Sequence, residues 1–468
     1  MSAVAGSGKT RSILELMKLS PATSQGMYVA FNKHIVEEIK LKNPPSNFII
    51  GTLHSRGYQS IAMNHRGKFK LDDWKTFKII QSVSKNWKDV PKKKINAKIS
   101  NICDFYNYYR LTYQTDLSFF GDIVEKYDLN VDQTDIPKIQ ECLDTLSIYN
   151  QKHNSHIEFM VDFVDMVYLP LFLKMQIKQV DILMIDEAQD LSALQHSFIL
   201  KMLKPEGKMA VLGDPYQAVY GFAGSDISSW SKFKELDNFI ELPLSYCYRC
   251  GKNIVNQANT VHNIMESPEW MHDGEVINNG DLLRVKTGDF ILCRNTKPLV
   301  ELYFNLINLE KPCFIKGSDI GKGLIKVLEE YKSLNSIDTI TEMNKDLDKI
   351  YKTLINHGIQ QPQKNQKYIS YKEKIDIVSL FAWKYIKTSE IIGKIKDIFS
   401  DSGEGIILST VHKSKGLETD DVYIYLPHLI PSKYANTPWE LDQEANLLYV
   451  AMTRAKKKLV FVKDVFEV

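Results

Sequence analysis

No stretch of this 468-residue chain stays apolar for the ~18 residues that a membrane span requires, so a membrane-crossing helix is excluded. The first residues also lack a basic segment followed by an apolar one, and no secretory leader is expected. Cysteine is sparse: six residues, scattered, with one close pair, Cys247 and Cys250. That spread excludes a disulfide framework, and the pair has no second pair with which to hold zinc. We read it as two small buried side chains in a reducing compartment. The expectation is an intracellular chain, cytoplasmic by default (nuclear in a eukaryote), neither secreted nor membrane-bound. No short-period repeat or long low-complexity tract is present, which excludes a solenoid and a disordered linker. Arginine is scarce too: the 59 basic residues include only Arg11, Arg56, Arg66, Arg110, Arg249, Arg284, Arg294 and Arg454. Where it is rare, each one asks for a reason, and bidentate phosphate recognition is a common one. The net charge of +2 carries no information about nucleic acid.

The composition, 44% hydrophobic and 25% charged, is that of a globular enzyme with room for two to four cores. Short apolar runs ending in polar or glycine turns read as buried strands of α/β units. They are "MYVAF" (27–31), "FII" (48–50), "VDILMID" (180–186), "MAVLGD" (209–214), "DFILCRN" (289–295), "CFIKG" (313–317), "GIILSTVH" (405–412), "DVYIYL" (421–426) and "KLVFV" (458–462). Between about 65 and 175 strand signals vanish and helical periodicity with many aromatics replaces them. The Lys- and Ile-rich stretch 333–403 also reads as mainly helical. The simplest organisation is two α/β cores, each interrupted by a mostly helical insertion.

Chemistry concentrates at strand ends. "AGSGKT" (5–10) is a phosphate-cradling loop: Gly6 and Gly8 turn backbone N–H groups toward phosphate, Lys9 reaches the β/γ-phosphates and Thr10 holds Mg²⁺. "VDILMIDEAQD" (180–190) delivers Asp186 and Glu187 at the end of an apolar strand, one to hold the metal and one to polarise the attacking water. The alternative for these acids, a helix cap, does not explain why a phosphate loop accompanies them. "VLGDPYQAVYGFAGSD" (211–226) ends a third strand in polar residues that include Gln217. "LSYCYRCGKNIVNQAN" (244–259) sets Arg249 ahead of an amphipathic helix, "STVHKSKGLETDDVYIY" (409–425) joins two strands through a Lys- and Gly-bearing turn, and "EANLLYVAMTRAKKKLVFV" (444–462) places Arg454 between helix and strand.

In this order, along nearly the whole chain, the stretches resemble motifs I to VI of the UvrD/Rep family of superfamily 1 DNA helicases. "AFNKHIVEEI" (30–39) and "TLHS" (52–55) resemble motifs Ia and Ib, and the wording is nearest to the F-box DNA helicases and some phage relatives. The resemblance implies two RecA-like P-loop NTPase cores, parallel sheets flanked by helices. The boundaries it suggests are 1–64 with 178–243 (1A), 65–177 (1B), 244–332 with 404–468 (2A) and 333–403 (2B). It implies an ATP site lined by Ala5, Gly6, Ser7, Gly8, Lys9, Thr10, Arg11, Tyr248, Arg249, Gly416, Glu418 and Arg454. Within it Tyr248 would stack on adenine, Glu418 touch the ribose, Gln217 sense the γ-phosphate, and Arg249 and Arg454 act as arginine fingers. ATP and Mg²⁺ are the implied cofactors. Single-stranded DNA and single-strand/duplex junctions are the implied partners, gripped by stacking on Phe31, Tyr220 and Phe222 and by contacts from Asn32, Thr52, His54 and His412. The activity implied is 3′→5′ ATP-dependent helicase or translocase. Two other readings stay open: a translocase that strips proteins without unwinding, and a DNA-binding scaffold that has lost turnover. "FYNYYRLTY" (105–113) could touch DNA, but we read it as helical core.

The chain departs from the family pattern in places. Ala223 stands where motif III usually has Arg, Thr419 where "GLEF" has Phe, and 333–403 is far shorter than the accessory domain of the large repair helicases. The adenine-reading glutamine and the buried strand that normally precede the phosphate loop are expected to be missing, as in an N-terminally shortened version. Neighbouring strands would then face a gap, at roughly 1–3 kcal/mol per unpaired backbone group.

Overall fold

The computed structural model describes residues 1–30, 33–65, 67–127, 129–152, 154, 158–219, 221, 224–225, 229–356 and 361–463. Two units emerge. The first holds Met1–Ala3 and Gly8–Leu244, the second Val4–Ser7 and Ser245–Val468.

The strands of the first unit are β1 (Ser2–Ala3), β2 (Gly26–Ala30), β3 (Phe48–Thr52), β4 (Lys68–Leu71), β5 (Glu158–Val161), β6 (Val180–Ile185), β7 (Leu203–Val211) and β8 (Pro243–Leu244). Four of them form a parallel sheet in the order β3-β2-β6-β7. All five residues of β2 are buried, as expected of a strand covered on both faces. Alternation along the strands divides their side chains between two cores. Met27, Val29, Leu183 and Ile185 join Leu53, Leu194 and Phe198, whereas Tyr28, Ala30 and Met184 join Ile13, Met17, Val36 and Ile39. Helices therefore cover the sheet on both sides, the arrangement that the apolar runs predicted.

The expected gap ahead of the phosphate loop needs correction. Ser2 and Ala3 form β1, which pairs in parallel with β8, bridges to Gly213 through Ser2, and donates from Ala3 N–H to the Gly213 carbonyl at 2.9 Å. A two-residue strand thus supports the loop, too short to show in any periodicity. The absence of strands from 65–175 also needs correction, because β4 and β5 pair in parallel there. Each spans four residues, and their alternation is lost among the neighbouring helical patterns. The rest of that stretch is helical as expected. Its own core includes Ile80, Ile99, Ile102, Phe105, Ile139 and Leu146, and Phe105, Tyr106 and Tyr109 of "FYNYYRLTY" are buried in it.

In the second unit the strands are β9 (Glu275–Ile277), β10 (Phe290–Cys293), β11 (Cys313–Lys316), β12 (Phe399–Ser400), β13 (Ile406–Thr410), β14 (Thr419–Tyr425) and β15 (Ala455–Val462). They form a seven-stranded sheet in the order β12-β11-β13-β10-β14-β15-β9, every pairing parallel. The helices Ser336–Asn356 and Gln366–Ala382 add Met343, Leu347, Ile375, Val378 and Phe381 to the core that contains Ile291, Leu408 and Val460 of the sheet. This Lys- and Ile-rich stretch is therefore a layer on the second unit, sharing its core.

Candidate functional site

In the first unit the site gathers where the parallel strands end. Gly8, at φ +83°, turns the chain into the helix Lys9–Leu19, a left-handed conformation that favours glycine. That helix has no side-chain cap and no acid in its first turn, so its positive end can receive an anion. Thr10 and Arg11 follow in the same turn, Thr10 half-buried and Arg11 exposed. Lys9 Nζ lies 3.8 Å from Glu187 Oε1.

Asp186 follows β6 and is buried, accepting from the Tyr28 hydroxyl at 3.0 Å and from Glu187 N–H at 2.9 Å. Burial, reinforced by the charge of Glu187, pushes its carboxyl up to about 6, with Lys9 acting in the other direction. A buried carboxyl held that high gains from a nearby cation. Glu187 sits at φ +53°, an uncommon conformation for a non-glycine residue, and accepts from Gln189 Nε2. Gln189 Oε1 in turn accepts from Asp214 N–H at 3.0 Å, and Gln217 Nε2 donates to Asp214 Oδ2 at 2.8 Å. Burial raises the Asp214 carboxyl as well, again opposed by Lys9. The geometry thus joins Lys9, Glu187 and Gln217, which the sequence singled out, through Gln189 and Asp214, which it did not, and adds Tyr28 as a donor to Asp186. Gln189 and Asp214 lay inside motifs already noticed. Tyr28 is one apolar-run residue among many and gave no signal.

In the second unit, Gly6 (φ +67°) accepts from Tyr248 N–H at 2.9 Å, and a Cβ added there would come within 2.5 Å of Arg249 Cβ. Ala5 N–H donates to the Tyr449 hydroxyl at 3.1 Å. The Ser7 hydroxyl is buried without a hydrogen-bond partner, an orphan donor in the glycine loop. Arg249 pairs with Glu418 through Nε and donates to the Thr453 carbonyl at 3.2 Å, and Lys456 reaches the other Glu418 oxygen at 2.9 Å. Burial alone would raise Glu418, but Arg249, Lys456 and Arg454 outweigh it and hold the carboxyl below its ordinary value. Arg454 is 2% exposed and donates to the carbonyls of Val450 (3.0 Å) and Leu417 (3.1 Å). Gly416, at φ +84°, borders Leu417 in this turn.

Of the residues expected on the DNA path, Phe31, Asn32, Tyr220 and Phe222 lie outside the described residues, as does Ala223. Thr52 caps the helix Leu53–Asn64, accepting from Ser55 N–H at 3.2 Å. His54 stacks on Phe163 with centroids 3.8 Å apart, and burial lowers it to about 4. His412 opens the turn His412–Ser414 after β13, and burial followed by the charges of Arg294 and Lys413 lowers it to about 3. Both histidines are thus held neutral in the fold. Each contributes stability above the unfolded value of ~6.5 that is lost as pH falls toward its folded value, up to ~1.4 kcal/mol per unit. His54→Phe keeps the stack and removes one titration. Its melting temperature is expected to fall less than the parent's between pH 7 and 5, and parallel profiles would refute the assignment.

Two parallel-sheet units, one with a glycine-led helix start beside a strand-end acid pair and one with arginines on carboxylates, define a P-loop protein of the α/β class. The chain matches the UvrD/REP helicase N-terminal domain over residues 1–237 and the UvrD-like helicase C-terminal domain over residues 384–464. It belongs to the UvrD/REP helicase family. It is similar to F-box DNA helicase protein 1 of Schizosaccharomyces pombe, 24% identical over 98% of this chain and 54% of that protein. It is also similar to F-box DNA helicase 1 of Gallus gallus, 23% identical over 98% of this chain and 46% of that one. The Gabija protein GajB of Bacillus cereus is 23% identical over 74% of this chain and 75% of its own. The chain spans about half the length of the two F-box helicases.

Proposed function

We propose that the chain hydrolyses ATP to move 3′→5′ along single-stranded DNA and to open duplex at single-strand/duplex junctions. In this reading 1–64 with 178–243 and 244–332 with 404–468 are the two motor cores, and 65–177 and 333–403 their insertions. The observation that carries it is the Lys9–Glu187 pair beside the buried Asp186, at the foot of an uncapped helix. The N–H groups from Ala5 to Arg11, the unpartnered Ser7 hydroxyl and Lys9 would bind the triphosphate, and Thr10 and Asp186 would hold Mg²⁺. The metal, when bound, supplies charge neutralisation on the phosphates. Glu187 would polarise the attacking water, Gln217 would register the γ-phosphate, and Arg249 and Arg454 would stabilise the charge that develops in transfer. Tyr248 would stack on the adenine, Glu418 would reach the ribose, and Gly416 would keep that turn clear. Phe31, Asn32, Thr52, His54, Tyr220, Phe222 and His412 would line the DNA track.

A second reading, a translocase that strips proteins without opening duplex, is favoured by the way Ser336–Asn356 and Gln366–Ala382 share the second unit's core. An insertion tied down in this manner offers less independent surface for duplex. Two assays decide between the readings: ATP turnover with and without single-stranded DNA, and separation of a duplex with a 3′ overhang. The expected result is hydrolysis stimulated at least tenfold by DNA, with strand separation. Stimulation without separation selects the stripping translocase, and no hydrolysis under any condition refutes both.

A further inference from the structure

Tyr248 and Trp270 are both exposed, at 54% and 73%, yet their rings stack at 6.2 Å between centroids and 22° between planes. Two bare aromatic rings held nearly parallel on a surface are unusual unless something fixes both. Here the backbone does so. Ahead of Tyr248, the Glu266 carbonyl accepts from Cys247 N–H at 2.8 Å, Glu266 N–H donates to the Ser245 carbonyl at 2.8 Å, and the Ser245 hydroxyl donates to the Glu266 carboxylate at 2.8 Å. Beyond it, the carbonyls of His272 and Asp273 accept from Lys252 and Asn253 N–H at 3.0 and 2.7 Å. The segment carrying Trp270 is thus clipped to the Tyr248 segment on both sides. Tyr248 itself is tied through its N–H to Gly6 of the phosphate loop.

We infer that Trp270 is a positioning residue for the nucleotide base: it backs the Tyr248 ring and fixes the plane on which adenine stacks. This rests on the reading of Tyr248 as the base platform. An exposed tyrosine otherwise samples several rotamers, and a base binding it would have to order the ring first. The stack removes part of that cost in advance. Its loss weakens ATP binding by roughly 2- to 10-fold, the range of an aromatic pair. The phosphates, which the loop grips independently, are unaffected.

The test uses the full chain and two probes, a non-hydrolysable ATP analogue and inorganic tripolyphosphate, with dissociation constants from calorimetry. Trp270→Ala is expected to weaken the analogue roughly 2- to 10-fold, leave tripolyphosphate unchanged and raise KM for ATP with kcat retained. Trp270→Phe should restore binding to within about twofold of the parent, because a smaller ring still stacks. Equal weakening of both probes by Trp270→Ala, or no weakening of either, overturns the inference. Tyr248→Ala separates it from the reading beneath. If that variant binds the analogue as the parent does, the platform reading fails; if Tyr248→Ala weakens binding and Trp270→Ala does not, only the role of Trp270 fails.

Discussion

Lys9→Ala is expected to lower DNA-stimulated ATP turnover by about 10²- to 10³-fold or more, with binding to single-stranded DNA kept within about twofold. Lys9 stands in the first helical turn after Gly8, so its charge adds to the positive end of the helix where the triphosphate would sit. Its ammonium lies 3.8 Å from Glu187, the separation of a loose ion pair. Such a partly exposed pair contributes at most ~1 kcal/mol to stability. The fold should therefore survive: Glu187 keeps its donor from Gln189, and Asp186 keeps Tyr28 and the Glu187 N–H. What changes is the electrostatics, because Lys9 is the cation that draws both Asp186 and Asp214 downward. Lys9→Arg retains the charge but not the compact ammonium, and should recover only a small part of the rate. Rates, DNA anisotropy and a melting curve on the same samples provide the test. Parental turnover in Lys9→Ala would remove the basis for the whole site.

The most legible strands are those buried on both faces, β2 and β10 along their whole length, and burial of that kind writes uninterrupted apolar runs such as "MYVAF" and "DFILCRN". The phosphate loop and the acid pair were legible because their chemistry needs fixed residue types at fixed spacing. What escaped notice depends on contacts distant in sequence. Tyr28 meets Asp186 across 158 positions, and nothing local marks it. The short strands β1, β4 and β5 draw their stability from partners elsewhere in the chain, so two to four residues carried no pattern. Rarity of arginine pointed to phosphate, yet Arg110 is buried on Asp162 and Asp165, and Arg294 makes a two-pronged contact with Glu444 at 2.7–3.1 Å. The same fork geometry that suits phosphate suits a carboxylate, so composition alone could not separate the two uses.

Arg110 leads to the largest stability effect we expect. Asp165 is fully buried and accepts from three groups: Lys75 Nζ, Arg110 at 2.7 Å and Asp162 N–H at 3.1 Å. Lys75 is 1% exposed and has Asn150 as its other acceptor, at 2.7 Å, while Arg110 is held in addition by both oxygens of Asp162. Two buried cations are thus balanced by two buried carboxylates. The pairs join the helices Lys75–Ser84, Ile95–Leu111 and Asp165–Phe172. Asp165→Ala leaves one carboxylate for two buried cations, and an uncompensated charge of this kind costs about 3–5 kcal/mol. Asp165→Asn keeps an acceptor and the shape, and should lose less. The double variant Lys75→Met with Asp165→Leu removes charge from both sides and should recover most of the loss, since an apolar pair of similar size often matches a buried ion pair. Urea denaturation of the four proteins tests the ordering. A loss below about 1 kcal/mol in Asp165→Ala, or a double variant no better than the single one, would show that Lys75 finds water or another partner, and that the network is not what fixes these helices.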